Sequence, residues 1–157
     1  MTAIGPTGIL LLSVGLVAAC AGTPAREPAG DTSWTDTGLA RSEVVLAALG
    51  HLDAPYRYGG LDCSALVQRA YRQAGVDHVP RTTAEQAHLA RRIPPARVQP
   101  GDVLFFATRG NRIDHVGVFI GEGRFVHAPS SQGRVRIEPL ASSYWQPRLR
   151  KAGHFFE

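Results

Sequence analysis

Cysteine, lysine and long apolar runs are all scarce in this chain of 157 residues, and each scarcity excludes something. Two cysteines, Cys20 and Cys63, are too few for a disulfide scaffold or for a multi-cysteine zinc or iron–sulfur module. Lys151 is the one lysine among 17 basic residues, the rest being arginine. No run of these is interleaved with aromatics, so no nucleic-acid partner is expected, although the net charge of +4 favours anionic partners in general. Charged residues are 19% of the chain against 44% hydrophobic, which permits a packed core and argues against wholesale disorder. No internal repeat is visible, and the length suits one ordinary domain rather than two.

Charge is absent from the first 25 residues; Arg26 is the first charged side chain. Ile9 to Ala19 is apolar but spans 11 residues, too short to cross a bilayer, which takes about 20. It ends in small residues and Cys20. Val17-Ala18-Ala19-Cys20 resembles the lipobox of bacterial lipoproteins, although the segment before it has only the terminal amine as positive charge. The expectation is a signal peptide over 1–19, a lipidated Cys20, and a flexible Gly-, Pro- and Thr-rich tether over 20–38. Ala21 follows the cysteine where an aspartate would resemble an inner-membrane retention signal. The outer membrane of a Gram-negative bacterium, facing the periplasm, is therefore the expected location. A plain secretory signal is the alternative.

The rest, 39–157, reads as one domain. Leu39 to Leu52 places Val45, Leu46, Leu49 and Leu52 at helical spacing. Cys63 to Ala74 gathers Leu66, Val67, Ala70, Tyr71 and Ala74 on one face, with Gly75 as the stop. Thr82-Thr83-Ala84-Glu85 is a capping-box pattern for a third helix ending near Arg92. After Pro94-Pro95 the pattern turns to strands: Asp102–Ala107, Asp114–Ile120, Arg124–Ala128 and Arg134–Glu138, with Gly121-Glu122-Gly123 as a tight connection. Helices followed by a meandering antiparallel sheet make an α+β domain.

Asp62-Cys63-Ser64 stands at the start of the second helix, after Gly59-Gly60. A thiol in a first turn meets unpaired N–H groups and the positive end of the helix dipole, which favour the thiolate. The competing reading is a small buried cysteine, against which its polar neighbours argue. His115 opens one predicted strand and His127 lies near the end of the next, so pairing brings both to one region of the sheet. His115, Gly117 and Phe119 share a face. His115 is then the candidate base and His127 the residue that orients it. His51, His78, His88 and His154 read as solvated surface groups.

With these residues in place the chain resembles NlpC-type bacterial cell-wall cysteine peptidases. The likeness rests on Ala54-Pro55-Tyr56-Arg57-Tyr58-Gly59-Gly60 before Asp62-Cys63-Ser64, then Pro80–Gln86, Pro100–Phe106, His115–Gly121 and Phe125–Pro129, in that order, over about Val44 to Leu149. It implies a papain-like α+β fold with N-terminal helices packed on a central antiparallel sheet. It implies Cys63 as nucleophile, His115 as base, His127 as the third polar member, and Tyr56 as support for the oxyanion. The implied substrate is the peptidoglycan stem peptide, cut between γ-D-glutamyl and diaminopimelate through an acyl-enzyme. Asp62, Ser64 and Arg81 are candidate substrate contacts, with Asp62 equally a helix N-cap and Arg81 equally a solvated loop residue. No cofactor and no metal are implied, and a monomer is expected.

Two departures stand out. Leu61 alone separates Gly60 from Asp62 where relatives carry several more residues, and Ala65 replaces a glycine after the serine. The first puts substrate preference in question, because that loop borders the cleft. Other readings remain beside the peptidase: a catalytically degenerate wall-binding or regulatory lipoprotein, an amidase or acyltransferase of the same fold, and a zinc site made of Cys63, His115 and His127.

Overall fold

The computed structural model describes residues 1–2 and 32–157, with side chains from Thr37 onward in the first helix. The expected signal peptide, Cys20 and the tether up to residue 31 lie outside the described residues. Helix α1 (Thr32–Leu49) starts before Leu39, and Gly38 does not interrupt it. A single interior glycine costs a helix only about 1 kcal/mol. The buried stripe differs from the expected one. Val44 and Ala48 are fully buried, whereas Leu46 is 67% and Leu52 37% exposed. The small Ala48 lies on the side that meets the core, and the larger leucines are left outward.

Helix α2 (Cys63–Gln73) begins as its sequence predicts, with Asp62 as N-cap accepting from the Ala65 amide at 2.9 Å. It buries Leu66, Val67, Ala70 and Tyr71 and ends before Gly75, whose φ of +80° suits glycine. Helix α3 (Thr83–Leu89) has the full capping box between Thr82 and Glu85. It stops short of Arg92 because Arg91–Ile93 is a strand, β1, paired with residues 152–154.

Five further strands follow: β2 (Val103–Phe106), β3 (His115–Gly121), β4 (Arg124–His127), β5 (Arg136–Pro139) and β6 (Leu149–His154). They form one antiparallel sheet in the order β1-β6-β2-β3-β4-β5. The α+β class and the layered arrangement are those expected; β1 and β6 are additions. On one face Val103, Phe105, Val116, Val118 and Val126 pack with α1 and α2 residues. On the other, Leu104, Phe106, Phe125 and Ala152 pack around Trp145.

The Pro100-Gly101-Asp102 motif joins these layers. Asp102, fully buried at the head of β2, accepts from Arg41 of α1 at 2.6 Å and from the Gln99 amide at 2.7 Å. The Tyr71 hydroxyl of α2 donates to the Gly101 carbonyl at 2.6 Å. Gly101 has φ +89°, and a Cβ there would meet the Arg41 carbonyl at 3.0 Å. The motif therefore ties both helices to the sheet.

Candidate active site

Cys63 is the first residue of α2, and the residues before and after it are immobilised by hydrogen bonds. The Asp62 carboxylate, besides capping the helix, accepts from the Ser64 hydroxyl at 3.0 Å and from Arg81 at 3.0 and 2.7 Å. Arg81 also donates to Ser64 Oγ at 3.0 Å. Those bonds hold the Asp62 carboxyl below the usual carboxylate range despite its burial. Asp62 is thus the helix N-cap, and Arg81, which stays partly exposed, is bonded to it. From α3, the fully buried Gln86 donates to the Ser64 and Pro80 carbonyls at 2.9 and 2.8 Å, fastening the nucleophile turn to the preceding loop.

On the sheet, His115 Nε2 and His127 Nδ1 lie 2.8 Å apart. In the tautomer that serves a base, Nε2–H of His115 donates to His127, leaving the Nδ1 lone pair of His115 for the cleft. Facing each other this way, the two nitrogens cannot share one ion, which argues against the zinc arrangement. Gly117 makes the pairing possible: it sits opposite His127 in the β3–β4 register, and a Cβ there would meet the Val126 carbonyl at 2.8 Å and His127 Cβ at 3.2 Å. Trp145 stacks on His115, with centroids 5.5 Å apart, and meets His127 edge-on at 4.8 Å. Beneath it His127 Nε2 is buried with no hydrogen-bond partner among the described residues.

Burial disfavours both imidazolium ions. His115 is pushed down to about 4, eased only by the nearby Asp114, and His127 is also held well below the ordinary range, by burial and then by His115. The unfolded chain binds protons near pH 6.5 that the folded chain refuses until far lower. Stability is therefore complete above pH 6.5 and falls as pH drops toward 4, by about 1.4 kcal/mol per unit for each histidine. Urea unfolding between pH 7 and 5 will show this slope, and His127→Asn will flatten it; an unchanged slope in the variant would remove the pair from this account.

The sulfur does not match expectation. Burial pushes the Cys63 thiol up, outweighing the Thr83 hydroxyl and the Val116 and Ser64 amides that favour the thiolate. The contact of Sγ is with Thr83 Oγ1 at 3.5 Å, and no hydrogen bond joins it to the His115 ring. The cleft thus holds a neutral thiol beside a neutral imidazole. Alkylation of Cys63 by iodoacetamide should accordingly rise with a midpoint above the ordinary thiol value of about 8.5. Thr83→Val should move that midpoint higher still and Thr83→Ser should restore it. A wild-type midpoint below about 7 would contradict the neutral thiol.

Cys63 and His115 line one cleft of about 770 Å³, together with Tyr56, Tyr58, Asp62, Ser64, Arg81, Thr83, Arg109 and Asp114. Every candidate site residue of the sequence except His127 and Cys20 borders it; His127 stands behind His115, and Cys20 is outside the described residues. The Tyr56 hydroxyl is raised, first by burial and then by Cys63 and Asp62. It stays protonated and can donate a hydrogen bond. The sequence assigns no site role to Thr83, Gln86, Gly117 or Trp145. The first three lie within motifs quoted for the resemblance, but Trp145, in an irregular segment, gave no signal. His51 and His154 are partly buried rather than solvated, and His154 packs its ring against Phe156.

The chain is similar in sequence and in fold to known proteins. Murein DD-endopeptidase MepH of Escherichia coli is 40% identical over 101 residues, 59% of this chain and 37% of that protein. Gamma-DL-glutamyl hydrolase of Bacillus subtilis is 34% identical over 121 residues, 73% of this chain and 29% of that protein. The chain thus spans well under half the length of either. A crystal structure of an NlpC/P60 family protein from Bacillus cereus, 24% identical, matches the fold with a TM-score of 0.69 over 74% of this chain and 40% of that one. The pattern of the NlpC/P60 family itself matches residues 53–154, from the turn before Tyr56 to the end of β6, so that the whole cleft falls within it and the chain belongs to the NlpC/P60 family.

Proposed function

We propose that this chain is a lipid-anchored peptidoglycan hydrolase, a cysteine endopeptidase of stem peptides cutting between γ-D-glutamyl and diaminopimelate. The observation that carries the reading is the placing on one cleft of Cys63, at the start of a capped helix, and His115, with His127 bonded behind it. The 40% identity to a murein DD-endopeptidase and the 34% identity to a glutamyl hydrolase support the substrate class.

The neutral resting pair calls for general-base catalysis. As Sγ attacks the scissile carbonyl, its proton passes to Nδ1 of His115, and His127 accepts from the other ring nitrogen. The carbonyl oxygen becomes an oxyanion, with the Cys63 amide and the Tyr56 hydroxyl as donors. Collapse of the intermediate expels the amine, which takes the proton from His115, and leaves a thioester. Water, deprotonated by His115, then hydrolyses the thioester and regenerates the thiol.

Digestion of purified sacculi, followed by mass spectrometry of the products, tests the bond. The expected products carry a new diaminopimelate amine and a new γ-D-glutamyl carboxylate. The name of the Escherichia coli relative favours a second reading, a cut at the D,D cross-link, which would instead release uncross-linked stems. The raised Cys63 thiol favours the degenerate wall-binding protein, and binding to sacculi without any cleavage would establish it. Lipidation is tested on Cys20: the N-terminal peptide should carry acyl mass, and Cys20→Ala should release the protein from membranes.

A further inference from the structure

Among the described residues, one arginine on the cleft makes no hydrogen bond and no ion pair. Of the cleft's charged lining residues, Asp62 and Arg81 are bonded to each other. Asp114 turns back into its own loop, accepting from the Thr108 amide at 2.7 Å and the Thr108 hydroxyl at 3.0 Å. Arg109, next to Thr108, lines the same cleft and is engaged by no hydrogen bond or ion pair. Its charge acts across the cleft on the Tyr56 hydroxyl. The loop that carries it is closed directly before His115: the Asp114 amide donates to the Phe106 carbonyl at 3.0 Å, and the Thr108 amide donates to the Asp114 carboxylate at 2.7 Å. A guanidinium is thereby presented on the same wall as the candidate base.

The chemistry of the substrate supplies a matching anion. A γ-glutamyl linkage uses the side-chain carboxyl, so the α-carboxylate of that residue stays free, three carbons from the scissile carbonyl. Arg81 is poorly available to it, because both its terminal nitrogens already hold Asp62. A carboxylate approaching Arg109 meets an open fork with nothing to displace but water. We propose that Arg109 is the specificity residue of this cleft, pairing with the free α-carboxylate of the γ-linked glutamyl residue and so selecting stem peptides in which it is not amidated. The inference rests on the peptidase reading above.

The test compares synthetic stem peptides that differ only at this position, γ-D-glutamate against its α-carboxamide, cleaved by the full chain, Arg109→Gln and Arg109→Lys. A charge-assisted hydrogen bond supports a preference of roughly 10- to 100-fold in kcat/KM for the free carboxylate. Arg109→Gln should bring the free peptide down to the level of its carboxamide, mostly through KM, and Arg109→Lys should restore part of the preference. Cleavage of both peptides at equal rates by the full chain, or a preference that survives Arg109→Gln, would overturn the proposal while leaving the peptidase intact. Failure to cut the γ-glutamyl bond in either peptide would overturn both.

Discussion

Cys63→Ala should reduce peptidoglycan cleavage by at least about 10⁴-fold, and His115→Ala should do the same. The two act as one unit, the base having no task without the sulfur, so the double variant should lose little more than either alone. His127→Asn keeps an acceptor near Nε2 of His115 and should retain part of the activity, as a residue that orients the base rather than touching substrate. Cys63 is small and only half-buried, so Cys63→Ala should unfold within a few degrees of the parent. That separates lost chemistry from lost structure. Muropeptide release by Cys63→Ala at the parental rate would end the nucleophile assignment.

Asp102→Ala should be the most destabilising of the single changes considered, by about 3–5 kcal/mol. Its carboxylate is fully buried and answers both Arg41 at 2.6 Å and the Gln99 amide at 2.7 Å. Removing it strands a cation that is only 18% exposed, together with a backbone donor. The midpoint of thermal unfolding should drop by roughly 10–20 °C. Arg41→Met combined with Asp102→Leu should cost less than Asp102→Ala alone, because desolvating a pair of charges offsets much of its attraction. A single variant as stable as the parent would show that α1 is held by its Val44 and Ala48 packing alone.

The parts of this protein that depend on neighbours in sequence are legible along the chain. The cap at Asp62, the capping box at Thr82 and Glu85, and the Gly121–Gly123 turn are local hydrogen-bond and dihedral preferences, and each stands where its residues put it. The pairing of His115 with His127 was within reach too, since a short turn between adjacent strands leaves little choice of register. Strands β1 and β6 were not readable. Arg91-Arg92-Ile93 and Leu149–His154 have no alternation of polar and apolar residues, and they are strands because β6 pairs with β2 on one side and with β1 on the other.

The candidate site divides along the same line. Sequence by itself determined which groups carry the chemistry and in what order: a thiol at a helix start, two imidazoles on adjoining strands, a tyrosine beside a diglycine. Only the tertiary structure decided their state. Trp145 arrives from a distant irregular segment to cover the histidines, Arg81 spends its charge on Asp62, Arg109 is left free, and burial keeps the Cys63 thiol protonated where its position in the helix favoured the anion. Hydrogen-bond caps act over three or four residues and can be read along a chain, whereas desolvation is a sum over everything packed nearby, and that sum exists only once the chain has folded.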